Sequence, residues 1–195
     1  MFVIKDWKKE VFTIPNLLSV FRLVLIPVYV GLYLNAGKDL TMHLAAAGVL
    51  GVSCLTDAVD GQIARRFNMV TTLGKLLDPL ADKATQFSLI LCLAGRYAAL
   101  WHVVALFLLK ELFQTVSGVV FLKKGKMLDG ALMVGKICTT VLFVSLILMV
   151  LFPTLPEGLV RSLAAVDCVF LTASFTGYFT AYYGKNAKIA DFSDK

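Results

Sequence analysis

Apolar residues run along the chain in six long blocks, at about 16–36, 41–63, 72–95, 98–122, 128–152 and 159–183, with polar residues gathered between them. A helix needs roughly 20 apolar residues to cross the hydrocarbon core of a bilayer, and each block reaches about that length. The pattern therefore predicts six transmembrane helices. Asn35-Ala36-Gly37-Lys38 and Phe152 to Glu157 have the composition of turns, while Arg66-Phe67-Asn68 and Lys123-Lys124-Gly125-Lys126 are basic connections. Ahead of the first block, Met1 to Phe12 places Phe2, Val3, Ile4, Trp7, Val11 and Phe12 mostly on one side of a helix that also carries Lys5, Lys8 and Lys9. That is the pattern of an amphipathic helix on the membrane surface. The apolar run behind it is longer than the core of a signal peptide. The expected fold is an all-α integral membrane protein, six spans plus a surface helix, forming one membrane domain over residues 1–195.

Composition strengthens this reading. Of 195 residues, 58% are hydrophobic and 16% charged, against about 45–50% and about 25% in soluble domains. A disordered chain is excluded, and the balance argues strongly against a water-soluble globule. The net charge of +6 would suggest nucleic acid in a soluble protein. Here the basic residues fall between the spans, where they set orientation, and no nucleic-acid partner is expected. With the N-terminus inside, Lys5, Lys8, Lys9, Arg65, Arg66, Lys123, Lys124, Lys126, Lys185, Lys188 and Lys195 are inner, against Lys38, Arg96 and Arg161 outside. This asymmetry puts both termini in the cytoplasm of a multi-pass protein of the cell membrane. Cys54, Cys92, Cys138 and Cys168 lie inside apolar runs without a CxxC pair and read as small core residues. His43 and His102, near span ends, read as interfacial, and Trp7 and Trp101 as interface anchors.

Four aspartates break the apolar pattern where the second and third spans approach the cytoplasmic side: Asp57, Asp60, Asp78 and Asp82. A single charge at depth costs about 2.5–3.5 kcal/mol on the lenient insertion scale. Asp57 and Asp60 share a helix face at i, i+3, and Asp78 and Asp82 do so at i, i+4. The connection Arg66 to Thr71 turns the chain back so that the two pairs confront one another. Clustered carboxylates without His or Cys suit a hard divalent cation, Mg²⁺ or Mn²⁺, whose shell is completed by substrate phosphates. Two such ions would stabilise the attacking and leaving oxygens of an in-line displacement. Gly61 and Ala64 continue the Asp57 face and leave it bare, so that a flat group can approach the backbone. Arg65 offers a guanidinium to phosphate, Gly74 clears space opposite, and Thr71 or Thr72 can cap the third helix.

Written out, Asp57-x2-Asp60-Gly61-x2-Ala64-Arg65-x8-Gly74-x3-Asp78-x3-Asp82 resembles, at every specified position, the signature of the CDP-alcohol phosphatidyltransferase family. The likeness extends to six spans and a surface N-terminal helix. Pro15-Asn16-Leu17-Leu18-Ser19-Val20-Phe21-Arg22 resembles the P-N-x-L-T-x-x-R opening of its bacterial glycerophosphate and cardiolipin branches, with Ser19 where Thr is commoner. The resemblance implies that an acceptor hydroxyl attacks the β-phosphorus of a CDP-linked lipid and that CMP leaves. It assigns Asp57, Asp60, Asp78 and Asp82 to two metal ions, with Asp82 also the general base. It places Asn16, Asp57, Gly61, Ala64, Arg65 and Gly74 at the nucleotide, and it implies a homodimer.

The acceptor is read from cations inside the spans: Arg22, Lys110 and Lys136. Gly135-Lys136-Ile137-Cys138-Thr139 resembles the G-K-x-x-T element of the glycerophosphate and cardiolipin enzymes. Lys110-Glu111 stands where Arg-Glu is expected for glycerol-3-phosphate, which keeps the charge and loses the bidentate fork. The expected reaction uses CDP-diacylglycerol and glycerol-3-phosphate. The alternative is phosphatidylglycerol as acceptor, making cardiolipin, or another alcohol. Ion transport and a non-catalytic scaffold are the rival classes. The first lacks the inverted repeats of a transporter, and the second is disfavoured by the complete motif.

Overall fold

The structure, a computed structural model, describes residues 13–37, 39–66, 71, 74–128, 132–184 and 189–191. The amphipathic segment expected over 1–12 lies outside these residues. Six helices are described: α1 (Ile14–Ala36), α2 (Leu40–Arg66), α3 (Gly74–Ala94), α4 (Leu100–Lys123), α5 (Met133–Leu151) and α6 (Glu157–Tyr183). Five of them, α1, α2, α4, α5 and α6, are long and apolar enough to cross a membrane. α3 is 21 residues long, but Lys75, Asp78, Asp82 and Lys83 make its first half too polar to qualify on composition.

The apolar pattern did not foresee one element. Residues 126–128 form a strand, β1 (Lys126–Leu128), which pairs antiparallel with β2 (Ile189–Asp191) in the register Lys126↔Asp191, Met127↔Ala190 and Leu128↔Ile189. The block expected to begin a span at 128 therefore becomes helical only at Met133. Gly125, at φ +72°, supplies the left-handed turn that ends α4 and opens the strand.

The described residues fall into two compact units divided between Cys92 and Leu93. In the first, α1 starts with Pro at its first turn, where a missing N–H costs nothing. It ends at Gly37, whose φ of +50° suits only a residue without Cβ. The Asp39 carboxylate then accepts the Thr41 N–H at 2.9 Å and so starts α2, which packs back along α1. At that end the Tyr33 ring stacks on Tyr29 at 5.8 Å and on the buried His43 at 5.5 Å. α1, α2 and α3 face one another around Leu25, Tyr29, Leu50, Ser53, Thr85 and Ser88.

In the second unit, α6 packs against both α4 and α5. Its buried residues Val160, Ala164, Asp167, Leu171, Ser174 and Tyr178 recur every three or four positions, the stripe of a helix with one face inward. Large apolar side chains elsewhere, among them Leu55, Leu112, Met133 and Val169, point outward, as expected of surfaces that face lipid. Hydroxyls within the helices are satisfied by carbonyls one turn back, for example Thr85 to Ala81, Thr139 to Gly135 and Thr172 to Cys168. All four cysteines are free thiols; Cys92 and Cys138 are buried.

At Gly135, α5 lies against the Tyr178 ring of α6. A Cβ there would lie 2.6 Å from the Tyr178 hydroxyl and 2.9 Å from its Cε2, and the rigid ring cannot fold aside. Gly135→Ala should therefore cost about 1–3 kcal/mol by overpacking, read as a fall of several degrees in the thermal midpoint of the purified protein. An unchanged midpoint would show that the two helices tolerate separation.

Candidate active site

The site is built at one end of the first unit, where α2 finishes and α3 begins. α1 contributes Asn16, Ser19 and Arg22, which follow one another at three-residue spacing, share a face and are all buried. α2 contributes Asp57 and Asp60, and α3 contributes Asp78 and Asp82. The two aspartate pairs do meet, and what they meet around is Arg22.

Arg22 Nη1 lies 2.5 Å from Asp57 Oδ1 and 2.7 Å from Asp82 Oδ1. Its Nη2 lies 3.2 Å from Asp60 Oδ2 and 3.9 Å from Asp78 Oδ1. The guanidinium side chain is 3% exposed and that of Asp60 4%, whereas Asp57, Asp78 and Asp82 are each about half exposed, at 50%, 45% and 52%. The cluster is thus a cup with a buried cation and Asp60 at its base and three carboxylates at its open rim. Ser19 Oγ, which also lies 3.0 Å from the Pro15 carbonyl, donates to Asp78 Oδ1 at 2.5 Å and ties the rim to α1. Four carboxylates against one guanidinium leave a formal charge of −3. Two unit charges 4 Å apart interact by about 4 kcal/mol at an effective dielectric of 20, so an arrangement of this kind calls for further positive charge.

A second set of contacts fixes the start of α3. Thr71 Oγ1 accepts the Gly74 N–H at 3.0 Å, as a helix cap does. The Thr71 hydroxyl pairs with the Asn16 carboxamide, Nδ2 donating to Oγ1 at 2.9 Å and the hydroxyl lying 3.1 Å from Oδ1. A Cβ on Gly74 would fall 2.6 Å from Asn16 Oδ1. The space that Gly74 leaves is therefore filled here by Asn16, and the glycine lets α1 and α3 approach. The backbone of Gly61, Ala64 and Arg65 belongs to α2; the placement of the side chains of Ala64 and Arg65, and the surroundings of Gly61, lie outside the described residues.

The donor set fits a hard divalent cation: oxygen only, four carboxylates, three of them open to solvent, with a negative excess. Among the described residues, no three acidic, His or Cys side chains stand arranged to hold an ion as they are. One oxygen of each carboxylate is turned to Arg22.

The other expected cations lie in the second unit. Lys110 is buried on α4, with Nζ 2.6 Å from Glu111 Oε1 and 6.0 Å from the centre of the Tyr178 ring. Lys136 is exposed on α5. The same unit holds a buried polar pair absent from the sequence reading: Ser145 Oγ donates to Asp167 Oδ2 at 2.5 Å. An aspartate between Val166 and Cys168 in an apolar block was the available signal.

Comparison with known proteins agrees with the geometry. The sequence model of the family described as CDP-alcohol phosphatidyltransferase matches residues 12–175. A probable phosphatidylglycerophosphate synthase of Mycobacterium tuberculosis is 31% identical over 119 residues, 60% of this chain and 57% of that protein. This chain thus spans a little over half the length of that relative. A CDP-diacylglycerol–glycerol-3-phosphate 3-phosphatidyltransferase of Bacillus subtilis is 34% identical over 139 residues, 66% of this chain and 71% of that one. A CMP-forming cardiolipin synthase of Streptomyces coelicolor is 33% identical over 177 residues, covering 89% and 79%. With the family match covering most of the chain and the motif's four aspartates gathered in one cup, this chain belongs to the CDP-alcohol phosphatidyltransferase family.

Proposed function

We propose that the protein transfers the phosphatidyl group of CDP-diacylglycerol to a hydroxyl of glycerol-3-phosphate, forming phosphatidylglycerol phosphate and releasing CMP. The observation that carries this reading is the cup itself: four carboxylates from two helices, three of them open to solvent, facing one another across a few ångströms. A phosphodiester exchange at a diphosphate needs its negative charge neutralised and a proton removed from the acceptor.

Asp57, Asp60, Asp78 and Asp82 would hold Mg²⁺ or Mn²⁺, two ions on the chemistry of the reaction. When bound, the ions would supply charge neutralisation at the diphosphate and stabilise the charge that develops in the displacement. Asp82, half exposed at the rim, takes the proton of the acceptor hydroxyl as that oxygen attacks the β-phosphorus. The bond to the CMP oxygen breaks, and CMP leaves with the electron pair. Asn16, Gly61, Ala64, Arg65 and Gly74 form the nucleotide side, with Asn16 held by Thr71. Lys110 and Lys136 serve the phosphate of the acceptor. Arg22 was grouped with them on the sequence, but its contacts are with the carboxylates that serve the donor.

In the same reading α3 crosses as the sixth span, and residues 1–195 form one domain of the cell membrane with the site and both termini cytoplasmic. The lipid donor reaches the site from the inner leaflet, and the chain works as a homodimer. Cardiolipin synthesis, with phosphatidylglycerol as acceptor, is the second reading, favoured by the Streptomyces relative that aligns over most of the chain.

Two outcomes test this assignment. Purified protein in detergent, given CDP-diacylglycerol and Mg²⁺, should release CMP only when glycerol-3-phosphate is added; release that instead answers to phosphatidylglycerol would move it to the cardiolipin reaction. Asp82→Asn should lower turnover by on the order of 10²–10⁴-fold, the usual weight of a general base, while CDP-diacylglycerol binding persists. Turnover near that of the unaltered protein would remove Asp82 from that role.

A further inference from the structure

Arg22 is not one half of an ordinary buried ion pair. It faces four acids rather than one, and both terminal nitrogens are committed to them. Its Nε is buried and has no hydrogen-bond partner among the described residues. Among the described residues, the guanidinium is held by the acids through its two terminal nitrogens. Ser19, one turn earlier on α1, engages the same Asp78 oxygen that faces Arg22, so α1 presses on the cup at two successive positions.

The consequence for a divalent ion is steric and electrostatic together. Oδ1 of Asp57, Asp78 and Asp82 and Oδ2 of Asp60 all face Arg22. While they face Arg22 these oxygens are not free for an ion, and as they stand no three of the described acids can hold one. An ion bound to those carboxylates would also sit within a few ångströms of a guanidinium of the same sign and be repelled by it.

We propose that Arg22 is an internal place-holder cation. It keeps the four carboxylates together while no divalent ion is present, and it must give up its contacts with them as ions bind, so that it sets how tightly the ions are held. This rests on the reading of the cup as a divalent-ion site, and it makes Arg22 a positioning residue that acts through the aspartates. A purely structural arginine would behave in the opposite way, since its removal would loosen the cup and weaken binding.

The test is Mn²⁺ binding to the full chain in detergent, followed by electron paramagnetic resonance of the free ion and by the Mn²⁺-induced rise in thermal midpoint. Arg22→Gln and Arg22→Lys are compared with the unaltered protein. Arg22→Gln should have a lower midpoint without metal, a larger rise on adding Mn²⁺, and an affinity roughly tenfold tighter or more, the scale of one competing charged hydrogen bond. Arg22→Lys, which keeps the charge but loses the fork that spans several carboxylates, should fall between the two. If Arg22→Gln does not fold without metal, the lysine variant decides alone, and its binding should still be tighter. Equal or weaker binding by the folded variants overturns the place-holder role while leaving the divalent-ion site intact. No Mn²⁺ binding by any of the three proteins overturns the site and the inference together.

Discussion

Four carboxylates held within hydrogen-bonding or ion-pair reach of one buried guanidinium are the constraint on which the rest of the first unit depends. Carboxylates this close repel one another, and Asp60, at the base of the cup, is buried away from the water that would spread its charge. Removing one partner from such a cluster leaves an uncompensated buried charge, which is far costlier than the pair is stabilising. α1 therefore cannot be an arbitrary first span. It carries Asn16, Ser19 and Arg22 on one face so that each reaches a different part of the α2–α3 end: Asn16 the Thr71 cap, Ser19 the Asp78 oxygen, and Arg22 all four acids. The close turn at Gly37 and Asp39 folds α2 back along α1 and so brings the Asp57–Asp60 face to this set.

Much of this arrangement was legible in the sequence. The six apolar blocks gave helices, because a span must satisfy its own backbone and little else can do so in lipid. The i, i+3 and i, i+4 spacings put each aspartate pair on one face, and Thr71 was one of two residues expected to cap α3. Other features were invisible for definite reasons. The position of Arg22 depends on which way a long side chain turns from its helix, and spacing does not encode that. Gly74 could be seen to clear space, but not that the Asn16 carboxamide fills it. The β1–β2 ribbon joins two segments some sixty residues apart, each only three residues long, and so carries no periodic signal.

The second unit follows a different logic. α6 lies against α4 and α5 through a stripe of small and aliphatic residues, and Gly135 lets Tyr178 approach the α5 backbone. Its buried charges are paired within the unit: Lys110 with Glu111, and Asp167 with Ser145.

In the proposed reaction the four aspartates act as one cation-binding group that grips the diphosphate of a lipid nucleotide. Binding of CDP-diacylglycerol to the purified protein, measured with Mg²⁺ and again after chelation, tests it most directly. Binding should require Mg²⁺ and be lost in Asp57→Ala. Binding that survives both chelation and that substitution would contradict it.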